Sequence, residues 1–253
     1  MKEDRGSADA LRAVLVLVAT AGTIAFNALA AMGYVNGVTP EVISNKYPTV
    51  LTPAGYAFSI WSLIYVGMIA FSIYQVLPSN LIRFRTVRTL YILSCLFNCG
   101  WIFFWHREAI GICLALITGL LISLFLMMRE FRGSASTGEA LFTKAPFGLY
   151  AGWVTAATLV NLAVFLSATG TSMTAQTWNI FGGACLILAA VAAVAVRFSF
   201  RHFLYPLAVA WAAAAIAIKQ AGNTTIIVTA TICVIICLVM AISFVMDQKS
   251  STT

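Results

Sequence analysis

Apolar residues gather into eight runs along the chain, at 13–34, 55–77, 89–106, 109–128, 147–168, 177–196, 203–218 and 225–246. A helix rises about 1.5 Å per residue and needs about 20 apolar residues to cross a ~30 Å hydrocarbon layer. Each run therefore predicts a membrane-spanning helix, and the short, Ala-rich 203–218 run has the least sharply marked edges. Helix-breaking residues separate the runs. Pro40, Pro48 and Pro53 interrupt the first connection, Pro78-Ser79-Asn80 closes the second run, and the Gly- and Ser-rich stretch at 133–138 predicts a flexible polar loop. Pro146 and Pro206 stand where the first turn of a helix accepts proline.

Composition supports this reading. Hydrophobic residues make up 61% of the 253 and charged residues only 9%, whereas soluble domains carry about 25% charged. A water-exposed globule of this size would lack the polar groups to cover itself, and disorder is excluded by the same figures. The expected fold is all-α, a polytopic helical membrane protein. The net charge of +7 points to loops facing anionic lipid, since no segment is basic enough to follow a nucleic-acid backbone.

Charge placement tests the span count independently. With eight spans, one side carries Lys2, Arg5, Arg12, Arg83, Arg85, Arg88, Arg129, Arg132, Lys144, Arg197, Arg201 and Lys249, and the other only Lys46, Arg107 and Lys219. Cytoplasmic loops are enriched in Lys and Arg, so both termini are expected in the cytoplasm of a multi-pass protein of a bacterial inner membrane. The first run is longer than a usual signal-peptide core, so an uncleaved span is expected there. All six cysteines lie inside spans, where Cys acts as a small buried hydrophobe. Cys95/Cys99 and Cys233/Cys237 are i,i+4 pairs with no His nearby, and no metal site is expected.

No Asp, Glu, Lys, Arg or His falls in the middle of a run. Such groups are costly there and mark proton relays and ion sites, so their absence opposes ion-coupled transport and intramembrane acid–base catalysis. The remaining polar groups are neutral: Asn27, Gln75, Asn98, Asn161, Asn179 and several Ser and Thr. Interhelical hydrogen bonding is the commoner use of such amides, with a ligand as the alternative. Trp105 and Trp178, at run ends, suit the interfacial belt, while Trp61, Trp101, Trp153 and Trp211 lie deeper. Asn98 and Trp101 share a helix face, as do Trp153 and Ala157, with Asn161 four residues on. Indoles and amides facing one another would make a flat, mostly apolar slot with a few hydrogen-bonding points. Periodicity alone does not separate this from ordinary packing.

Three stretches resemble the TspO/translocator family of tryptophan-rich sensory proteins, whose members have five transmembrane helices. They are Thr52-Pro53-Ala54-Gly55-Tyr56-Ala57-Phe58-Ser59-Ile60-Trp61, Leu96-Phe97-Asn98-Cys99-Gly100-Trp101, and Tyr150-Ala151-Gly152-Trp153-Val154-Thr155-Ala156-Ala157-Thr158-Leu159-Val160-Asn161. Their order and placement on the second, third and fifth runs match the family. The resemblance implies a five-helix TspO-like bundle over 1–168, with a C-terminal extension of about three transmembrane helices over 169–253. The family binds porphyrins and related tetrapyrroles under its first connecting loop. Carried over by position, Pro53 and Gly55 shape the lid with Tyr47 as its aromatic, and Trp61 forms a wall. Asn98, Trp101, Trp153 and Ala157 face inward, with Asn161 as a packing or pocket amide.

The chain departs from the family pattern at Ala54 and Tyr56, where the family has Pro and Trp, and in a Gly55–Trp61 spacing one residue shorter. No sterol-type motif follows the fifth run, so cholesterol recognition is not expected. The implied function is a membrane sensor or receptor for a planar tetrapyrrole-like ligand, porphyrin or haem, with no required cofactor and no metal. The alternatives are an uncoupled transporter of porphyrin or another small hydrophobic molecule, or a structural membrane protein without ligand. Porphyrin-modifying activity, suggested for the family, would depend on Trp redox chemistry. Expected partners are the ligand, the lipid membrane and a second copy in a homodimer, with no nucleic acid.

Overall fold

The computed structural model describes residues 2–133 and 137–250. Residues 134–136 of the flexible loop expected at 133–138 lie outside the described residues. Ten α-helices account for most of the rest: α1 (Lys2–Ala31), α2 (Pro40–Lys46), α3 (Ile60–Tyr74), α4 (Arg85–Trp105), α5 (Ile110–Glu130), α6 (Thr137–Phe142), α7 (Lys144–Ala168), α8 (Ala175–Phe200), α9 (Leu204–Lys219) and α10 (Thr224–Ser250). A 3₁₀ turn, Gly55–Ser59, leads directly into α3. Seven of the helical segments are long and apolar enough to span a bilayer. The 16-residue α9 corresponds to the seventh run but falls short of that length. At about 1.5 Å per residue it covers roughly 24 Å, against ~30 Å of hydrocarbon.

Two compact units divide the chain, one from Met1–Pro40 and Trp61–Phe147, the other from Glu41–Ile60 and Gly148–Thr253. In the first unit, α4 packs against both α1 and α5. Gly67 lets α3 lie against Pro146, where a methyl group would stand 2.7 Å from the proline Cβ. Phe71 is the hub of an aromatic cluster, its ring meeting Phe147 edge-on at 4.9 Å and Tyr91 at 5.2 Å. Polar side chains cross-link the helices: Thr20 Oγ1 lies 2.5 Å from Ser72 Oγ and 2.6 Å from the Tyr91 hydroxyl. Thr20 and Ser72 also donate to the Val16 and Met68 carbonyls of their own helices, so it is the Tyr91 hydroxyl that would be left unsatisfied in hydrocarbon without the other two.

One end of this unit concentrates charge. Asp9 pairs with Arg85 and, at 3.8 Å, with Arg12, and Arg83 meets Glu139 at 2.6 Å. Arg88 departs from the loop position expected of it. α4 begins at Arg85, so Arg88 is a helical residue with no exposed surface. Its guanidinium donates to Gln75 Oε1 at 2.6 Å and to the carbonyls of Gln75, Asn80 and Leu81. Those four acceptors compensate the buried charge locally.

In the second unit α10 packs against α8 and α9, and α8 against α9. Small residues permit the approach. Gly152 of α7 abuts the Tyr205 backbone, Gly182 fits beneath Val50 and Ile226, and Ala189, Ala193, Ala208, Ala212 and Ala215 are buried. Thr155 Oγ1 and the Tyr205 hydroxyl, 2.7 Å apart, fasten α7 to α9. Arg197, expected in a loop, is also helical and buried, and its guanidinium reaches Asp247 at 2.5 Å and the Met240 carbonyl at 3.2 Å. α8 is capped by Arg201, whose φ of 55° is the left-handed conformation usually given to glycine.

Candidate functional site

The family-motif residues divide between the two units. Trp61, Asn98 and Trp101 belong to the first, and Tyr47, Pro53, Gly55, Trp153, Ala157 and Asn161 to the second.

In the first unit, Asn98 and Trp101 lie on the buried face of α4 with Cys95 and Trp105. Asn98 is completely buried, and its carboxamide oxygen accepts from Asn27 Nδ2 at 2.7 Å. Asn27 Nδ2 also donates to the Thr23 carbonyl, so the two amides staple α1 to α4. The Trp101 ring stacks on Trp105 at 5.6 Å and 22°. Trp105 is not a lipid-facing belt residue. It is buried, and its indole N–H donates to the Pro40 carbonyl at 3.1 Å. Beside it, Asn36 Nδ2 donates to the His106 carbonyl at 2.8 Å. The turn after α1 is thus tied to the end of α4, and Gly33, Asn36 and Gly37 supply the positive φ angles it needs. Trp61 is half-buried and stacks on Tyr65 at 5.7 Å.

In the second unit, the segment expected to form a lid is docked onto α9. Ala54 N–H donates to the Ala215 carbonyl at 3.0 Å, and the Trp211 indole N–H donates to the Ala57 carbonyl at 3.0 Å. Tyr56 meets the Trp211 ring edge-on at 5.2 Å, and Gln220 Nε2 donates to the Thr49 carbonyl at 2.9 Å. Pro53 is buried within this arrangement, and the bare backbone of Gly55 lies against the Glu41 carboxylate. Tyr47, half-buried, caps the end of α2, where its N–H donates to the Ser44 carbonyl.

Phe58 extends from the same turn to Trp153, ring centroids 6.1 Å apart and nearly perpendicular. Trp153 is buried and Ala157, one turn on, half-buried. Asn161 is buried and donates back to the Ala157 carbonyl at 2.8 Å, which meets part of its hydrogen-bonding need within its own helix. Sequence reasoning gave Phe58, Ala215 and Tyr205 no role and marked Trp211 only as one of the deeper tryptophans. A Trp in an Ala-rich helix is a weak signal, and nothing near Trp211 marks its partner, which lies 154 positions earlier in the chain.

Apolar helices long enough to span a bilayer, charges confined to helix ends and buried indole–amide groups define a polytopic helical membrane protein. A family model described as TSPO-like protein matches residues 13–243. The chain belongs to the TSPO-like family, and the match continues through α8, α9 and most of α10. No curated protein and no solved structure matches it.

Proposed function

We propose that the protein is an integral membrane sensor for a planar, tetrapyrrole-like ligand such as porphyrin or haem. Family membership carries this reading, because the family as a whole points to membrane sensors and transporters of hydrophobic ligands. The neutral chemistry of the motif residues agrees with it. Indoles at Trp61, Trp101 and Trp153, the small side chain of Ala157 and the amides of Asn98 and Asn161 suit a flat apolar molecule with a few polar edges. Tyr47, Pro53 and Gly55 are the proposed lid residues. Porphyrin enters as ligand, not as a required cofactor. The charge bias of the connections supports a bacterial inner-membrane location with both termini cytoplasmic.

The test is titration of protoporphyrin and haem into the purified protein, followed by quenching of tryptophan fluorescence. Saturable quenching is expected, weakened about tenfold or more by Trp153→Ala, which removes one of the three proposed indole surfaces. Undiminished binding by Trp153→Ala and Asn98→Ala together removes the proposed residues. Ligand flux into proteoliposomes would instead favour an uncoupled transporter.

A further inference from the structure

The second unit holds an open vestibule of about 790 Å³ where α8 and α10 begin and α9 ends, roofed on one side by the first connection. Trp178, Asn179, Lys219, Gln220, Asn223 and Thr49 are among its lining residues. Its size lies within the ~300–1,000 Å³ range of small-molecule sites.

The vestibule leaves donors open on Lys219 and Asn179, beside an acceptor at Gln220 Oε1, since Gln220 Nε2 is spent on the Thr49 and Thr52 carbonyls. Asn179 Oδ1 is occupied by Asn223 Nδ2 at 2.6 Å, and Asn223 Oδ1 accepts from the Ile226 N–H at 3.3 Å. Asn179 therefore keeps its N–H groups for a guest. The Lys219 ammonium makes no ion pair or hydrogen bond among the described residues, and no carboxylate lines the vestibule. The N-termini of α8 and α10 bring positive partial charge to this end, with Thr177 N–H and Ile226 N–H already capped by Thr174 and Asn223 and the carbonyl end of α9 opposing them. Trp178, half-buried at the first turn of α8, offers an indole edge and face beside these donors.

We propose that this vestibule binds an organic anion, its phosphate or carboxylate held by Lys219 and Asn179 and its apolar body lying against Trp178. The same chemistry is carried by a soluble phosphomonoester and by the head group of an anionic phospholipid.

The experiment uses the full chain purified in a maltoside detergent, which has no anionic group, with phenyl phosphate titrated by calorimetry. Saturable binding is expected, at least tenfold weaker in Lys219→Gln and largely kept in Lys219→Arg, because an ammonium and a guanidinium both donate to phosphate. Benzyl alcohol, which keeps the ring without the anion, is expected to give no saturable heat. Phosphatidylglycerol is then added and its retention followed by native mass spectrometry. Loss of phenyl phosphate binding together with Lys219-dependent lipid retention identifies a head group as the occupant, and undisturbed phenyl phosphate binding identifies a soluble anion. The proposal is overturned if the wild-type chain neither binds phenyl phosphate nor retains phosphatidylglycerol, or if Lys219→Gln behaves as the wild type in both measurements.

Discussion

Replacing Gly152 with alanine is expected to pry α7 away from α9. A methyl group there would stand 2.9 Å from the Ala208 Cβ and 3.1 Å from the Tyr205 Cα, and nearer still to the Tyr205 carbonyl oxygen. Non-bonded carbons rest about 3.5–4.0 Å apart, so the helices must separate by roughly 0.5–1 Å. None of these obstacles is the end of a flexible chain that swings aside. Overpacking of this kind costs about 1–3 kcal/mol, toward the upper end when backbone must move. The displacement also stretches the Thr155–Tyr205 hydroxyl bond one turn away, at about 1 kcal/mol. Helix propensity returns up to ~1 kcal/mol, since alanine is the better helix former. The net expectation is a destabilisation of about 2–3 kcal/mol.

Gly183→Ala supplies the control, because a methyl group at that position meets Thr229 Cγ2 at an ordinary 3.4 Å. There the propensity gain dominates, and a change between neutral and about 1 kcal/mol more stable is expected. Both variants are compared with the wild type by thermal unfolding in detergent, read from tryptophan fluorescence, and by reversible denaturation in mixed micelles. If Gly152→Ala proves as stable as Gly183→Ala, the close approach of α7 and α9 is refuted.

The Asn27–Asn98 staple is tested by a double-mutant cycle to alanine, for which a coupling of about 0.6 kcal/mol and at most ~1.7 kcal/mol is expected. Zero coupling would show that the amides do not bond across α1 and α4. Arg201→Gly is expected to stabilise the protein by about 1 kcal/mol, because a left-handed conformation costs an L-residue roughly that much and glycine nothing. A lower midpoint for this variant in the same unfolding assay would locate a favourable contact of the Arg201 side chain that outweighs its backbone strain.

The candidate site was legible as chemistry and not as geometry. Asn98 and Trp101 were expected on one helix face, and they are. The bond from Asn27, on a helix 71 positions earlier, lay beyond what spacing conveys. Trp105 shows the same limit. A tryptophan at a helix end reads as a lipid-interface residue, yet a single carbonyl, that of Pro40, draws it inside. The proline-rich first connection was legible as a break between helices, while its attachment to α9 through Ala54, Ala57 and Thr49 depends on groups that are mostly backbone and so leave no mark in the side-chain pattern.

The sequence by itself determined the all-helical class, the number of apolar segments and their approximate ends. Bilayer thickness imposes a length on each segment, and length and polarity are properties of consecutive residues. Only the tertiary structure decided which face of each helix turns inward. In α3, Ile64 and Met68 are buried while Leu63 and Val66 are more than half exposed, and all four are apolar. Lipid is as apolar as a protein core, so the contrast that reveals a buried face in water is missing, and the choice falls to small residues and polar staples that act between distant segments.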